Sequence, residues 1–358
     1  MNRQHTNTVP ASRRHCHSSA SASFYVWAAF LTLATIFFAF PHCGAQQPHF
    51  EEAEQEFRPQ HVLPRQPAII HPPILAGSQI ADEVTESDLI LGVVVNGKAR
   101  AYPINMLNGP FREIINDSLG GQPIAAMWCH LCHSAIVFDR RLDDHVLTFQ
   151  VSGMLWNRTL VMYDAETESL WSLLLEKGVR GPMKDRKLKT LPSELTTWKK
   201  WRTLHPDTTI LNLPHRQDGF VREFYDEPKP FVFGFVADRP CHVTLETLEK
   251  VRILAIARRN RQYLVTLDDE SYAIHLFNCV VDGQTLSFVT VESENESPFL
   301  LMDTQTNSTW DAYTGKAIDG PLTGKQLEQE IGTIAYSRNW LAFYPDSIEV
   351  PESGETKE

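Results

Sequence analysis

From residue 89 onward the chain is dominated by short apolar and β-branched runs, each closed by polar or glycine-containing punctuation. Residues 89–95 form one such run. It ends at Asn96-Gly97, a pair suited to the positive φ angles of a two-residue hairpin turn. Runs at 123–128, 135–139, 146–151 and 159–163 follow, separated by Asp143-Asp144 and Ser152-Gly153, and runs at 263–267, 273–277 and 286–291 have the same character. Apolar stretches this short between turn residues predict strands. Helix is scarce. Residues 193–204 form one candidate, with Ser193 as cap and Leu195, Trp198, Trp201 and Leu204 along one face; residues 334–343 form the other. A mostly β, α+β fold is expected.

Self-similarity divides that pattern in two. At an offset of 139, Asp164, Thr167, Ser169 and Trp171 fall on Asp303, Thr306, Ser308 and Trp310, and Gly181-Pro182 falls on Gly320-Pro321. Trp201 falls on Trp340 and Pro206-Asp207 on Pro345-Asp346. The 44 pairs from Asp164 to Asp207 hold 11 identities, against roughly two to four expected from ordinary residue usage. Upstream, an offset of 162 matches Asn116 with Asn278 and Gly121-Gln122 with Gly283-Gln284. This predicts an internal duplication of one β-rich unit with a short helix, the second copy shorter by the difference between the two offsets. The expected organisation is a unit at 74–213, a connector at 214–248, a shortened unit at 249–350 and a polar tail at 351–358.

The N-terminus changes the setting. Residues 1–45 hold three arginines and no acid, and their apolar stretch at 23–40 precedes Ala45. That is the pattern of a secretory signal peptide, with an uncleaved membrane anchor as the rival. Residues 46–73 are rich in Pro, Gln and Glu and predict a solvated linker. The body is therefore expected outside the cytoplasm, periplasmic or secreted, with membrane contact only through residues 23–40 if they are retained. The full chain of 358 residues carries a formal charge of −11. Acidity of that size argues against nucleic acid as a partner and leaves a small ligand or another protein. There is no phosphate loop, nucleophile elbow or His-Glu-x-x-His motif.

Beyond the leader four cysteines remain, Cys129, Cys132, Cys241 and Cys279. Cys129-His130-Leu131-Cys132-His133 is the sharpest chemical feature. Two thiols with two residues between them can converge on a metal, exchange with a disulfide, close a structural disulfide or attach a haem. Zinc or copper would take Cys129 and Cys132 with His133 or His130, and His145 is a further donor. A c-type haem would use His133 and one of Met127, Met154 or Met162.

The run 91–103, then Ile115-Asn116-Asp117, Gly120-Gly121-Gln122-Pro123, Cys129 to Cys132, 134–139, Val151-Ser152-Gly153, 160–164, Ser169-Leu170-Trp171-Ser172 and His205-Pro206-Asp207-Thr208 together resemble the bacterial and archaeal domain-of-unknown-function family numbered 3179. The resemblance is strong over about 74–213 and faint over 249–349. It implies an exported protein with a Cys-x-x-Cys site of unestablished chemistry. The family pattern has Pro where His130 stands and a small residue where His133 stands. The cysteine pair therefore carries over and the histidines do not, which disfavours haem c and weakens a site needing His133. Arg100, Tyr102, Asn116, Asp117, Tyr163, Asp164 and Trp171 also match. Asp164 and Trp171 recur as Asp303 and Trp310 and are assigned to the scaffold. Asp139 and Asn157, in the segment expected to be missing from the second copy, are the ligand-binding candidates beside the thiols, with Arg158 as a runner-up. The leading expectation is metal binding through Cys129 and Cys132. Thiol–disulfide oxidoreduction by the same pair, and a non-catalytic scaffold or binding module with a structural disulfide, are the alternatives.

Overall fold

The computed structural model describes residues 56–80, 84–215, 219–259, 261–291 and 299–355. The leader at 1–45, its apolar stretch at 23–40 and the start of the Pro-rich segment lie outside them.

The first half runs through β1 (Leu89–Val95), β2 (Lys98–Pro103), α1 (Ile104–Leu107), β3 (Ile114–Leu119), β4 (Gln122–Cys129), β5 (Ser134–Asp139), β6 (Phe149–Trp156), β7 (Thr159–Asp164), β8 (Leu170–Ser172), β9 (Lys177–Arg180), β10 (Lys189–Leu191), β11 (Ser193–Thr197), α2 (Trp198–Leu204) and β12 (Thr209–Leu211). Three sheets result, in the orders β11-β1-β2-β12, β10-β5-β4-β3 and β6-β7-β8-β9. The second half follows the same course: β13 (Phe231–Val236), β14 (Pro240–Thr244), α3 (Leu245–Val251), β15 (Ile253–Arg258), β16 (Arg261–Leu267), β17 (Ile274–Asn278), β18 (Phe288–Thr290), β19 (Leu300–Asp303), β20 (Thr309–Asp311), β21 (Lys316–Asp319), β22 (Glu328–Glu330), β23 (Gly332–Tyr336), α4 (Ser337–Phe343) and β24 (Ile348–Glu349). Its sheets, β23-β13-β14-β24, β22-β17-β16-β15 and β18-β19-β20-β21, repeat the first three strand for strand. The fold is mostly β.

Register corrects the expected gap. Met127 pairs with Ile136 and Thr266 with His275; Phe138 pairs with Thr190 and Phe277 with Gln329. All are 139 apart, so that single offset holds upstream through the Cys-His turn. The second half therefore lacks nothing there, and the turn's counterpart is the loop 268–273. The 162 offset matched two different hairpins. Gly121 turns β3 into β4, whereas Gly283 turns the small ladder at 280–285. Both glycines take φ near +80°. They are alike because tight hairpins require that conformation, not because they occupy one position.

Other boundaries also shift. Residues 193–197 are strand rather than helix, because they pair with β1, and Thr197 caps α2 by accepting from Lys200 N. Residues 231–251, expected largely within a connector, supply β13, β14 and α3. Parts of the expected linker dock on the body: residues 60–61 extend the β6 edge and 69–70 the β3 edge, and just beyond it 74–76 extend the β12 edge. Strands of two or three residues at sheet edges tolerate the surrounding prolines.

The halves interlock. β23 packs on β5 and, reciprocally, β11 on β17, and one hydrophobic core runs through both halves. Each half also buries a tryptophan over a strand glycine. A Cβ on Gly92 would lie 2.4 Å from the Trp201 ring, and one on Gly234 would lie 2.4 Å from Trp340. The indole N–H groups donate to Thr208 Oγ1 and Ser347 Oγ, each at 2.8 Å.

Candidate functional site

β4 and β5 pair up to Cys129 and Ser134, so the residues between them form a tight turn. His133 closes it in the left-handed region, at φ +55°, and its counterpart Tyr272 does the same at φ +62°. Both cysteines are free thiols and are buried, at 1% and 0% exposure. The Cys132 thiol lies 3.8 Å from Cys129 O and also interacts with the Cys129 thiol. Burial pushes the Cys129 thiol well above its ordinary range, and the Cys132 thiol and the Glu113 carboxylate push the same way. Such a group stays protonated at neutral pH.

Both neighbouring histidines are engaged elsewhere. His130 Nδ1 lies 3.1 Å from Glu113 Oε1 near the surface. His133 is fully buried, with Nε2 2.7 Å from the Tyr225 hydroxyl and Nδ1 without a partner. Its ring stacks on Phe224 at 4.7 Å and meets Trp128, Phe231 and Tyr336 at 4.9, 4.8 and 5.7 Å. Burial lowers its pKa to about 3, so the imidazole is neutral. A neutral imidazole can ligate a metal, but this one is held inside an aromatic cage. Among the described residues, no group of three or more His, Cys, Asp or Glu side chains is placed to hold a metal ion. The expected donor set of Cys129, Cys132, His133 and His130 is not assembled, and the residues do not fit a zinc or copper site, which needs three or four converging donors. Haem fits no better, because thioether attachment requires sulfurs that a porphyrin can reach. Met127 and Met162 are core residues packed in the same cluster as the two cysteines.

The turn is instead a joint between the halves. Cys132 O accepts from Tyr336 N at 2.9 Å, and Ser134 Oγ donates to Ile334 O at 3.1 Å. The ligand candidates have similar structural roles. Asp139 sits at the far end of β5, where its carboxylate accepts from Arg141 N, Nε and Nη2. Burial raises its pKa, but the Arg141 hydrogen bonds and charge outweigh that and hold it below the usual range. Asn157 and Arg158 form the β6–β7 turn, both with positive φ. Asn339 of α4 clamps this turn by donating to Asn157 O and Arg158 O at 3.0 and 3.3 Å. His145 lies in the exposed ladder at 141–146. Asp164 accepts from Thr167, Ser169 and Trp171 Nε1, and Asp303 repeats the set with Thr306, Ser308 and Trp310. Arg100, Tyr102 and Asp117 do converge, through Asp117 Oδ2 at 2.5 and 2.7 Å. Register places Cys241, Val243 and Ile256 at those positions in the second half.

The profile of the family described as a protein of unknown function (DUF3179) matches residues 65–247 and 262–355. The chain belongs to this family. The two DUF3179 segments together take in both structural halves. No curated protein and no solved structure matches the chain.

Phe220, Phe224, Tyr225 and Phe231 surround His133 from a segment expected to be a connector, and no motif announces them. Their density was the available signal, since six aromatics between residues 219 and 235 are out of character for a linker.

Proposed function

We propose that the protein is an extracytoplasmic, non-catalytic scaffold or binding module in which Cys129 and Cys132 close a structural disulfide. This reading rests on one observation: two buried thiols interact with each other while both neighbouring histidines are bonded elsewhere. In an oxidising compartment such a pair is stable as a disulfide. Closure during folding, before the turn is buried, transfers two electrons and two protons to an incoming disulfide, which leaves as two thiols. The bond would lock the turn whose carbonyl holds Tyr336 and so brace β5 against β23. Catalytic exchange needs a thiolate that a partner can reach, and burial opposes both requirements here.

Differential alkylation and peptide mapping of the full-length protein secreted from cells is the test. Cys129 and Cys132 are expected in one disulfide-linked peptide, resistant to alkylation until reduced. Rapid turnover of a model disulfide, lost in Cys129→Ser, would replace this reading with the oxidoreductase.

A further inference from the structure

The repeat provides an internal comparison between the hairpins β1–β2 and β3–β4 and their counterparts β13–β14 and β15–β16. In the second half Asp238, in the turn between β13 and β14, bridges the two hairpins. Arg258 Nε and Nη2 donate to its carboxylate at 3.0 and 3.2 Å, and Arg259 Nε approaches it to 3.1 Å. Register places Leu119 and Gly120 at the positions of those arginines. The first-half hairpins are joined instead by Asn96 Nδ2, which donates to Gly120 O at 2.9 Å. Between them and the chain leaving α2 lies an open cavity of about 480 Å³, bordered by Gly97, Lys98, Arg100, Gly120, His205 and Asp207. Cavities of about 300–1,000 Å³ are of the size that takes small molecules.

The cavity wall differs between the halves as well. Arg100 Nε donates to Thr209 Oγ1 at 3.0 Å, and Nη1 donates to Asp117 Oδ2 and Ser118 O at 2.5 and 3.3 Å. Tyr102 donates to the same carboxylate oxygen at 2.7 Å. Burial raises the Tyr102 pKa well above its ordinary range, and Asp117 pushes the same way, so the hydroxyl keeps its proton. The second half packs Cys241, Val243 and Ile256 at the positions of Arg100, Tyr102 and Asp117. Burying an ion pair costs desolvation, and apolar residues of similar volume serve stability as well or better. Packing therefore does not account for the first-half cluster. Asp117 balances the charge of Arg100 and fixes its orientation, while these bonds leave the Nη2 hydrogens unused at the cavity wall. A guanidinium edge held in this way suits a carboxylate.

Two further charges stand on the border. Lys98 and Asp207 are exposed, and among the described residues neither forms an ion pair. Burial lowers the His205 pKa against the opposing pull of Glu194, so its imidazole is neutral at pH 7. Lys98 and Arg100 are thus balanced by Asp117 and Asp207. A ligand carrying both signs matches this border, whereas an anion meets Asp207 and a cation meets Lys98.

We propose that this cavity binds a small zwitterion of the amino-acid type, with its carboxylate at Arg100 and Lys98 and its ammonium at Asp207. The site lies outside the Cys-His turn and does not depend on the disulfide.

The test titrates the full-length protein with glycine, 4-aminobutyrate and 6-aminohexanoate, and with succinate and 1,4-diaminobutane as single-sign controls, followed by calorimetry and ligand-observed NMR. Saturable one-to-one binding of at least one zwitterion is expected, about tenfold tighter than either control. Arg100→Lys keeps a cation beside Asp117 but loses the planar edge, and should weaken that zwitterion about fivefold or more. G97D/L119R copies the Asp238–Arg258 bridge and should close the cavity and remove binding. Should that variant fail to fold, K98Q/D207N, confined to exposed side chains, serves in its place and should abolish the preference for the zwitterion. No saturable zwitterion binding up to millimolar concentration would overturn the proposal. So would equal or tighter binding of succinate or the diamine, or zwitterion binding unchanged in K98Q/D207N.

Discussion

The Nε2 atom of His133 lies 2.7 Å from the Tyr225 hydroxyl, and the Tyr225 ring stacks at 4.5 Å on Tyr272, which occupies the position of His133 in the second half. One short helix, Arg222–Tyr225, is thereby wedged between two equivalent turns. The imidazole beside the cysteines is part of this wedge, which explains why it is not available to the sulfurs. The Cys-His turn joins the halves mechanically.

Acid sensitivity should follow from His133. Its folded pKa, about 3, lies below the ordinary 6.5 of the unfolded chain. The unfolded state therefore takes up a proton first. The stabilisation is complete above pH 6.5 and is lost as pH falls from there toward 3, with a slope of about 1.4 kcal/mol per pH unit. Chemical denaturation between about pH 4 and 7 should show this slope, reduced by one proton in His133→Phe. An unchanged slope in the variant would assign the acid sensitivity to other groups.

Asn339 reaches from the second half to the Asn157-Arg158 turn of the first. Asn339→Ala removes its hydrogen bonds from a buried contact and should cost about 2–3 kcal/mol. Equilibrium unfolding in urea measures the loss, and a change under about 0.5 kcal/mol would show that the turn holds without the clamp.

Gly92 and Gly234 make a paired test of the repeat. Alanine at either position drives a Cβ into an indole ring at 2.4 Å, and each substitution should cost about 1–3 kcal/mol by overpacking. Similar losses in the two variants, read by thermal unfolding, are expected from the shared architecture. A loss in only one would mean that the two tryptophan–glycine contacts are not equivalent.

The strands were legible where local chemistry and tertiary pairing agree. The apolar run at 89–95 with Asn96-Gly97 became the β1–β2 hairpin, with positive φ at both turn residues. Trp171 and Trp310 marked the repeat because each is fixed to an aspartate by its indole N–H. Pattern misleads where one residue type serves several purposes. The spacing of Leu195, Trp198, Trp201 and Leu204 imitates a helix, yet Leu195 lies on a strand because pairing with β1 overrides local periodicity. The cysteine pair was visible in the sequence, but the fate of its histidines was not. That depends on Glu113, Tyr225 and Phe224, and only the folded chain brings them together.

The decisive measurement on the cysteine pair is elemental analysis of the full-length protein, purified without chelator and again as Cys129→Ser. No stoichiometric metal is expected in either preparation, including material reduced and incubated with zinc or copper before desalting. One equivalent of metal per chain in the parent, absent from the Cys129→Ser variant, would contradict the structural role of the pair.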